Sequence, residues 1–508
     1  MPLMPVLPNK LYLLCWSVVC SGLAGIWVWR MRSKLAQTRG APSPWAVPLL
    51  AGGALMLFVG WWNGMTFYMA DEGMYLLSAN TFAEGMWTIA APPVGAGDGE
   101  LRASEFHFLY MVNSGGRMYP RYPMGWPAIL AGISAIVPPP FAAPLLGIGI
   151  LLLTAYYARR FLPAGSDEGT MWVMVLSASF LLNCAGFTSH AACGLLLILG
   201  AIFVEQSMKT GRSIFLAAAM LTFAAMTVVR PLVGAMGMAT AGLILLFRFG
   251  FWRTAAMGIA GAITAGAILA WQNVNATGAW YRSAYAEFVQ VMPEAHSPAA
   301  AIVSMHLRRV ADTIACSFPL LLVLLLAAYW HPETRRRSAI YTAYAIVTLL
   351  AYGMIPIDSE SPFGERYLFE CMILVFLAAG MAWAKVKELL GERGRWALPL
   401  TSILLSAYSL WTLVPAHHQL RRPHTALMAS KESLAGDAQL VFLEYTTAFP
   451  AGNYWINPLR WQEAKTIFIP APKPERREAV ARILNRPRWR QLRYQEDRNL
   501  FEETARSQ

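Results

Sequence analysis

Charged residues are scarce in this sequence. Only 14% of its 508 residues are Asp, Glu, Lys or Arg, whereas 56% are hydrophobic, and the mean hydropathy is +0.42. Because a soluble domain carries about 25% charged residues, this composition excludes an ordinary soluble protein and predicts an integral membrane protein. Cysteine is scarce too. All six cysteines fall inside apolar segments, so neither a disulfide framework nor a cysteine zinc site is indicated.

The sequence also lacks an internal repeat, a low-complexity tract and any nucleic-acid-binding motif. Its net charge of +12 therefore fits contact with anionic membrane lipid and predicts no nucleic-acid partner.

Long apolar segments recur along the chain and predict about twelve transmembrane helices. They are 11–29, 46–69, 141–158, 171–188, 191–207, 213–229, 232–247, 254–271, 310–329, 339–355, 367–384 and 397–414. Residues 1–30 predict a retained first span and not a cleaved signal peptide, because no convincing small-residue cleavage site appears.

Basic residues alternate between loops. One set of short loops holds 17 lysines and arginines, whereas the longer loops of the opposite set hold eight. By the positive-inside rule, the basic loops face the cytoplasm. The N-terminus, the loop after the second span and the C-terminal tail are then predicted to be outside it.

The predicted fold class is an all-α polytopic membrane protein with a small C-terminal domain. A transmembrane domain is expected over 1–414, with a first outer loop at 70–140. Within that loop, the apolar block 125–137 is too short to span and predicts a helix that lies along the interface or dips into it. Shorter apolar runs and more charge over 415–508 predict an extracytoplasmic α+β domain.

Asp71 and Glu72 follow the second span directly and precede a helical spacing of Tyr75 and Ala79. A carboxylate pair at the end of a span is costly unless it faces water, a ligand or a metal. One interpretation is a first-turn cap stabilised by the helix dipole. The other is a general base that takes a proton from an acceptor hydroxyl or amine.

A run of cations and aromatics ends the same loop. Arg117, Arg121 and Tyr122 predict a site for the phosphate of a substrate, because the guanidinium fork matches phosphate oxygens. Anchoring of Arg and Tyr among lipid headgroups is the alternative.

Further candidates lie at other outer ends of spans. Arg366 and Tyr367 begin a late span, where Arg366 either meets the same anionic group or pairs with a nearby acid. Arg230 fits helix-end packing or snorkelling better than a site. His190 is more typical of a hydrogen-bonded residue than of a metal ligand. A polar loop containing Asn273 and Tyr285 either lines a sugar site or is merely solvated.

Four segments together resemble the GT-C superfamily of membrane glycosyltransferases, in the branch of the aminoarabinose–lipid A transferases and protein O-mannosyltransferases. Residues 71–75 resemble its Asp-Glu-x-x-Tyr motif, and 119–127 its Tyr-Pro-Pro-Gly-x-Pro segment, with Met124 replacing the second proline. Residues 273–278 are similar to its Asn-x-x-x-x-Gly stretch, and 364–367 to its Gly-x-Arg-Tyr motif. An extra span precedes the usual first one.

The resemblance implies an inverting glycosyltransferase at the outer face of the cytoplasmic (inner) membrane. The sugar donor is expected to be a polyprenyl-phosphate sugar, and the acceptor a lipid, a glycan or a protein. By the same resemblance, Asp71 is the base and Glu72 assists in positioning or metal binding. Arg121 and Arg366 would neutralise the leaving phosphate. Metal use stays open, because only His190 stands where relatives have an acidic ligand.

Two alternatives to an enzyme of this kind remain. A secondary transporter is compatible with about twelve spans, although transporters place their polar sites near the bilayer midplane. A non-catalytic assembly protein with a GT-C-like body is the second alternative, against which the intact Asp71 argues.

Overall fold

The structure is a computed structural model that describes residues 45–92, 100–101, 106, 108, 110–291, 316–353, 366–389, 391–446, 449 and 455–507. The first half of the described chain contains α1 (Ala46–Asn63), α2 (Ala70–Ala83), α3 (Gly125–Ser134), α4 (Ala142–Phe161), α5 (Ser166–Val175), α6 (Ala178–Asn183), α7 (His190–Thr210), α8 (Ser213–Val229), α9 (Pro231–Phe249) and α10 (Phe251–Thr277). The second half contains α11 (Ala284–Val291), α12 (Leu321–Trp330), α13 (Pro332–Gly353), α14 (Phe369–Leu389), α15 (Gly391–Gln419), α16 (Arg422–Ala435) and α17 (Arg477–Ile483).

Strands occupy two separate stretches. They are β1 (Ile89–Ala90), β2 (Met111–Ser114), β3 (Arg117–Pro120), β4 (Leu440–Glu444), β5 (Ile467–Pro470), β6 (Trp489–Gln495) and β7 (Leu500–Arg506). The first three form an antiparallel sheet in the order β1-β3-β2, and the others form a mixed sheet in the order β5-β4-β6-β7.

Seven helices in the described ranges are long and apolar enough to cross a membrane. They are Ala46–Asn63, Pro139–Phe161, His190–Thr210, Pro231–Phe249, Phe251–Thr277, Arg366–Lys387 and Ala397–Ala435. Shorter apolar helices are Gly125–Ser134, Ser213–Val229 and Leu321–Trp330. The protein thus has the helices of a multi-pass membrane protein, but the count of about twelve is not confirmed. The predicted span 11–29 lies outside the described residues.

The predicted span 171–188 is wrong as one continuous helix. The chain forms α5, breaks at Leu176 and Ser177, and starts again as α6. Ser177 Oγ accepts a hydrogen bond of 3.4 Å from the backbone N–H of Phe180, so the serine caps a new helix and does not continue the old one.

The described residues group into two compact units. The bundle unit comprises the described parts of Met1–Trp62, Ala143–Ala265 and Ala295–His417. The sheet unit comprises those of Asn63–Ala142, Gly266–Glu294 and His418–Gln508.

Helix α14 is the most buried membrane-length helix of the bundle unit, since 83% of its apolar window is buried. It packs closely on α5, where glycines let the two backbones approach. A Cβ at Gly380 would lie 2.0 Å from Thr170 Oγ1, and a Cβ at Gly169 would lie 2.7 Å from the carbonyl oxygen of Gly380. Small residues commonly allow such close helix contacts in membranes.

The mixed sheet is the centre of the sheet unit, and its strands β4 and β5 are buried on both faces. Leu440 and Phe442 of β4 point into one hydrophobic cluster, and Val441 and Leu443 point into another, as the two-residue period of a strand requires. Helix α2 contributes Met74 and Leu77 to the first cluster, and α16 contributes Leu427 to the second. The first cluster also includes residues of the first outer loop: Ile89, Leu101, Phe106, Phe108, Met111 and Met118.

The predicted domain over 415–508 differs from this grouping. Residues 422–506 contain both helices and strands, and they share a hydrophobic cluster with the first outer loop, which the sequence assigned to the transmembrane domain. A boundary based on local composition does not detect such a shared core.

We predict that Gly380→Ala lowers the melting temperature of the detergent-solubilised protein. Overpacking a tight helix contact costs about 1–3 kcal/mol. Gly258→Ala on α10 is the matched control, because a Cβ there meets nothing within 4 Å. Alanine favours a helix over glycine by about 1 kcal/mol, so the control is expected to be neutral or slightly stabilising. Equal melting temperatures for wild type and Gly380→Ala would contradict the close α5–α14 contact.

Candidate active site

Asp71 and Glu72 lie in the first turn of α2, as the sequence predicted. The chain turns at Gly64, whose φ of +57° favours glycine, and α2 then begins at Ala70. Carboxylates in a first helical turn are stabilised by the backbone N–H groups that point towards them. Both side chains are buried, since Asp71 is 8% exposed and Glu72 is 0% exposed.

Asp71 is hydrogen-bonded to the tyrosine of the predicted phosphate segment. The phenol of Tyr122 donates a hydrogen bond of 2.6 Å to Asp71 Oδ1, and Arg121 Nη2 donates to the same phenol oxygen at 3.3 Å. Desolvation of the phenol and the negative charge of Asp71 raise the pKa of Tyr122 well above its ordinary value. Tyr122 therefore stays protonated near neutral pH and keeps donating to Asp71.

Aromatic rings surround the guanidinium of Arg121. Its Cζ lies 3.8 Å from the ring centroid of Tyr110 and 5.1 Å from those of Tyr122 and Tyr285. Cation–π contacts of this kind are worth about 0.5–2 kcal/mol each. We call Asp71, Arg121, Tyr122, Tyr110 and Tyr285 the Asp71 cluster.

Backbone geometry supports this cluster. Tyr110 has a φ of +68°, a conformation that costs an aromatic residue about 1–3 kcal/mol, and its carbonyl oxygen accepts a 3.0 Å hydrogen bond from the N–H of Arg121. Gln272 of α10 donates to the carbonyl of Tyr122 and accepts from the N–H of Met124, both at 3.1 Å. The turn before α3 is therefore held from two sides.

Glu72 forms a buried ion pair with a residue that the sequence analysis missed. Arg421 Nη2 donates to Glu72 Oε1 at 2.8 Å, and both side chains are almost fully buried. The N–H of Tyr68 donates to Glu72 Oε2 at 3.2 Å, and Arg421 Nη1 donates to the carbonyl of Thr66 at 2.5 Å. These contacts tie the start of α2 to the residue that precedes α16.

The carboxylates of α2 do not form a multi-ligand metal site in the described part of the chain. No group of three His, Cys, Asp or Glu side chains there is placed to hold a metal ion. The Glu72 carboxylate is bound to Arg421 and Tyr68.

A second polar cluster lies in the bundle unit around Glu370, which is 1% exposed. His190 Nδ1 lies 3.1 Å from Glu370 Oε1, and Arg230 Nε lies 3.4 Å from the same oxygen. Arg230 also donates to Ser189 Oγ at 3.2 Å and to Tyr352 Oη at 3.1 Å. An acid inside an apolar helix needs such cationic and hydrogen-bonding partners.

Arg366 and Tyr367 adjoin this Glu370 cluster. The guanidinium carbons of Arg230 and Arg366 each lie 5.2 Å from the ring centroid of Tyr367, and Tyr352 packs on that ring at 4.8 Å. The nearby acids that could pair with Arg366 are Asp358, Glu360 and Glu365, and all three lie outside the described residues.

Two sequence candidates lie apart from these clusters. Arg117 is exposed at the start of β3, whereas Arg121 is buried. The prediction of a loop is wrong for residues 273–277, because they form the last turns of α10, which ends at Thr277 and is followed by Gly278 with a φ of +81°. Asn273 Nδ2 donates to the carbonyl of Trp280 at 3.0 Å, an intramolecular contact that closes this helix end.

Sequence reasoning also missed Glu370, Tyr110 and Gln272. Glu370 did carry a signal, since an acid within the apolar segment 367–384 indicates a buried partner. No comparable local signal marked Tyr110 or Gln272, whose roles depend on residues far away in the chain.

The fold is of the GT-C type, which the resemblance of the motifs had predicted. The chain is similar in structure to ArnT from Cupriavidus metallidurans in the apo state, with a TM-score of 0.56 and 12% identity over 89% of this chain and 93% of that one. It is equally similar to ArnT bound to undecaprenyl phosphate, with a TM-score of 0.55, 12% identity and the same coverage. Neither a protein-family model nor a curated protein matches the sequence.

We predict that Glu72→Gln destabilises the protein strongly. Removing one partner of a buried ion pair leaves the other charge uncompensated and costs about 3–5 kcal/mol. Chemical denaturation of the detergent-solubilised protein measures this loss. Glu432→Gln, an exposed acid on α16, is the control and should change stability by less than about 0.5 kcal/mol. A stable Glu72→Gln variant would contradict the structural importance of this pair.

Proposed function

We propose that this protein is a glycosyltransferase that moves a sugar from a polyprenyl-phosphate donor to an acceptor at the outer face of the cytoplasmic membrane. The observation that carries the proposal is the buried contact of Asp71 with Tyr122 and Arg121, in a chain with the GT-C fold. A solved structure of that fold holds undecaprenyl phosphate, which supports a polyprenyl-phosphate ligand.

In the proposed reaction, Asp71 is the general base. The acceptor hydroxyl or amine loses its proton to the Asp71 carboxylate as its oxygen or nitrogen attacks the anomeric carbon of the sugar. The bond from that carbon to the phosphate oxygen breaks, and the electron pair leaves with polyprenyl phosphate. One direct displacement of this kind inverts the anomeric configuration.

Tyr122 positions the base in this proposal. Its hydrogen bond of 2.6 Å fixes the direction of the Asp71 carboxylate, so that less rotational freedom is lost when the acceptor binds. Because Tyr122 stays protonated near neutral pH, it does not compete with Asp71 for the acceptor proton.

Arg121 is proposed to stabilise the leaving phosphate. Its guanidinium is held by aromatic faces and by the phenol of Tyr122, so its charge is oriented before the substrate arrives. A preorganised cation near a developing negative charge lowers the barrier. The predicted role of Arg366 and Tyr367 at a phosphate remains a prediction, as does that of Arg117.

Glu72 is proposed to be a structural residue and not a second catalytic acid. Its carboxylate already accepts from Arg421 and from the N–H of Tyr68. The proposal therefore assigns the proton transfer to Asp71 alone.

We expect Asp71→Asn to reduce the release of polyprenyl phosphate by at least about 100-fold, the usual minimum for losing a general base. Asparagine keeps the shape of the side chain but does not accept the acceptor proton. The assay uses purified full-length protein, a panel of polyprenyl-phosphate sugars and native membranes as the source of acceptor. Donor affinity is expected to stay within about twofold of wild type, because the base acts on the acceptor.

Asp497→Asn is the control for this measurement, since its side chain is 76% exposed and lies far along the chain in the C-terminal hairpin. If Asp71→Asn turned over donor at the wild-type rate, the assignment of Asp71 as the general base would be rejected. If no donor in the panel binds to wild-type protein, the transferase proposal fails, and uptake by proteoliposomes then tests a transporter. Donor binding without turnover in wild type would favour a non-catalytic assembly protein.

A second prediction separates the two arginines of the first outer loop. Arg121→Gln is expected to weaken donor binding by about tenfold, because a charge-assisted contact to phosphate is worth about 1.5–3 kcal/mol. Arg117→Gln is expected to change binding by less than twofold, because Arg117 is exposed at the hairpin. Equal losses in both variants, measured by equilibrium binding of the donor, would contradict the assignment to Arg121.

A further inference from the structure

A cavity that the proposed reaction does not use lies within the bundle unit. Its volume is about 320 Å³, which is at the lower end of the 300–1,000 Å³ typical of small-molecule sites. Residues near the C-terminal ends of α4 and α7 and near the N-terminal end of α13 form its rim. The positive-inside pattern predicts that this end of the bundle faces the cytoplasm.

The rim carries a polar network with excess positive charge. Tyr157 donates to Glu205 Oε1 at 3.1 Å, and its oxygen lies 2.8 Å from that of Tyr341. Arg337 Nη1 lies 3.5 Å from the same carboxylate, so Glu205 is already compensated. Arg336 also lines the cavity, is exposed and forms no ion pair with any residue of the described ranges.

The interior of the cavity is apolar. It is lined by Leu197, Phe223, Ile244 and Leu374, one from each of the helices α7, α8, α9 and α14. A ligand that fits must therefore combine a hydrocarbon chain with an anionic group at one end. A bilayer supplies such molecules from its own leaflets, and basic recesses between membrane helices are known to bind anionic headgroups.

We infer that this cavity binds an anionic phospholipid of the adjacent leaflet, with one acyl chain inside and the phosphate at Arg336. Arg337 contributes to the same positive rim while Glu205, Tyr157 and Tyr341 keep its side chain in place. This inference stands apart from the proposed function, since it involves none of the residues of the Asp71 or Glu370 clusters.

The test titrates delipidated, detergent-purified full-length protein with dioleoylphosphatidylglycerol or dioleoylphosphatidylcholine and counts bound lipids by native mass spectrometry. Wild type is expected to bind one phosphatidylglycerol at least fivefold more tightly than phosphatidylcholine. Arg336→Gln is expected to weaken phosphatidylglycerol binding about fivefold, which corresponds to about 1 kcal/mol for an arginine near a membrane surface.

Arg335→Gln is the matched control, because Arg335 is the neighbouring exposed arginine, forms no ion pair with a described residue and does not line the cavity. It should change binding by less than twofold. Ala201→Phe fills the cavity from α7 and should weaken the binding of both lipids, provided that its melting temperature matches that of wild type.

Three results would overturn the inference. If Arg335→Gln and Arg336→Gln weakened phosphatidylglycerol binding equally, the binding would depend on general surface charge and not on the cavity rim. Equal binding of the two lipids by wild type would show that the rim does not select an anion. Competition by glycerol 3-phosphate as strong as that by the lipid would show that a soluble phosphate, and not a lipid, is the ligand.

Discussion

A carboxylate and a guanidinium that are both shielded from water, those of Glu72 and Arg421, tie the first turn of α2 to the residue before α16. Separating them would leave a buried charge without compensation, which is far more costly than losing a surface pair. The pair therefore holds α2 in one orientation, and α2 carries both the catalytic candidate Asp71 and the apolar residues Met74 and Leu77. The geometry around Asp71 depends on this constraint, although Arg421 touches no part of the proposed reaction.

Neighbouring acids at the start of one helix thus have different environments. Glu72 is bound to a full positive charge and to a backbone N–H, whereas Asp71 accepts a hydrogen bond from a neutral phenol. A phenol orients a carboxylate through a hydrogen bond but supplies no positive charge to pair with it. Arg121 donates a hydrogen bond to the oxygen of this phenol, and its guanidinium packs against aromatic rings. The sequence Asp-Glu contains no indication of this difference.

The Glu370 cluster follows the same principle inside the bundle unit. The buried carboxylate of Glu370 contacts both His190 and Arg230, and Arg230 also donates hydrogen bonds to two hydroxyl groups. Four residues that the sequence treated as separate candidates (His190, Arg230, Arg366 and Tyr367) are thereby brought together. The interpretation of Arg230 as a residue of helix-end packing is incomplete, because its side chain joins an ion pair and two hydrogen bonds.

Composition and hydropathy alone determined that this is a membrane protein built of apolar helices. Burying charge in lipid is costly, so charged residues are excluded from long segments of the sequence. The order of short motifs also indicated the GT-C fold, the spacing of Asp71, Tyr75 and Ala79 indicated a helix near Asp71, and the apolar block 125–137 indicated a short helix. Tertiary structure decided the rest. The partners of Glu72 and of Asp71 are distant in the chain, the core of the C-terminal sheet includes the first outer loop, and α5 ends where Ser177 caps the next helix. Local patterns record the burial of single residues, whereas the identity of a partner depends on which segments fold against each other.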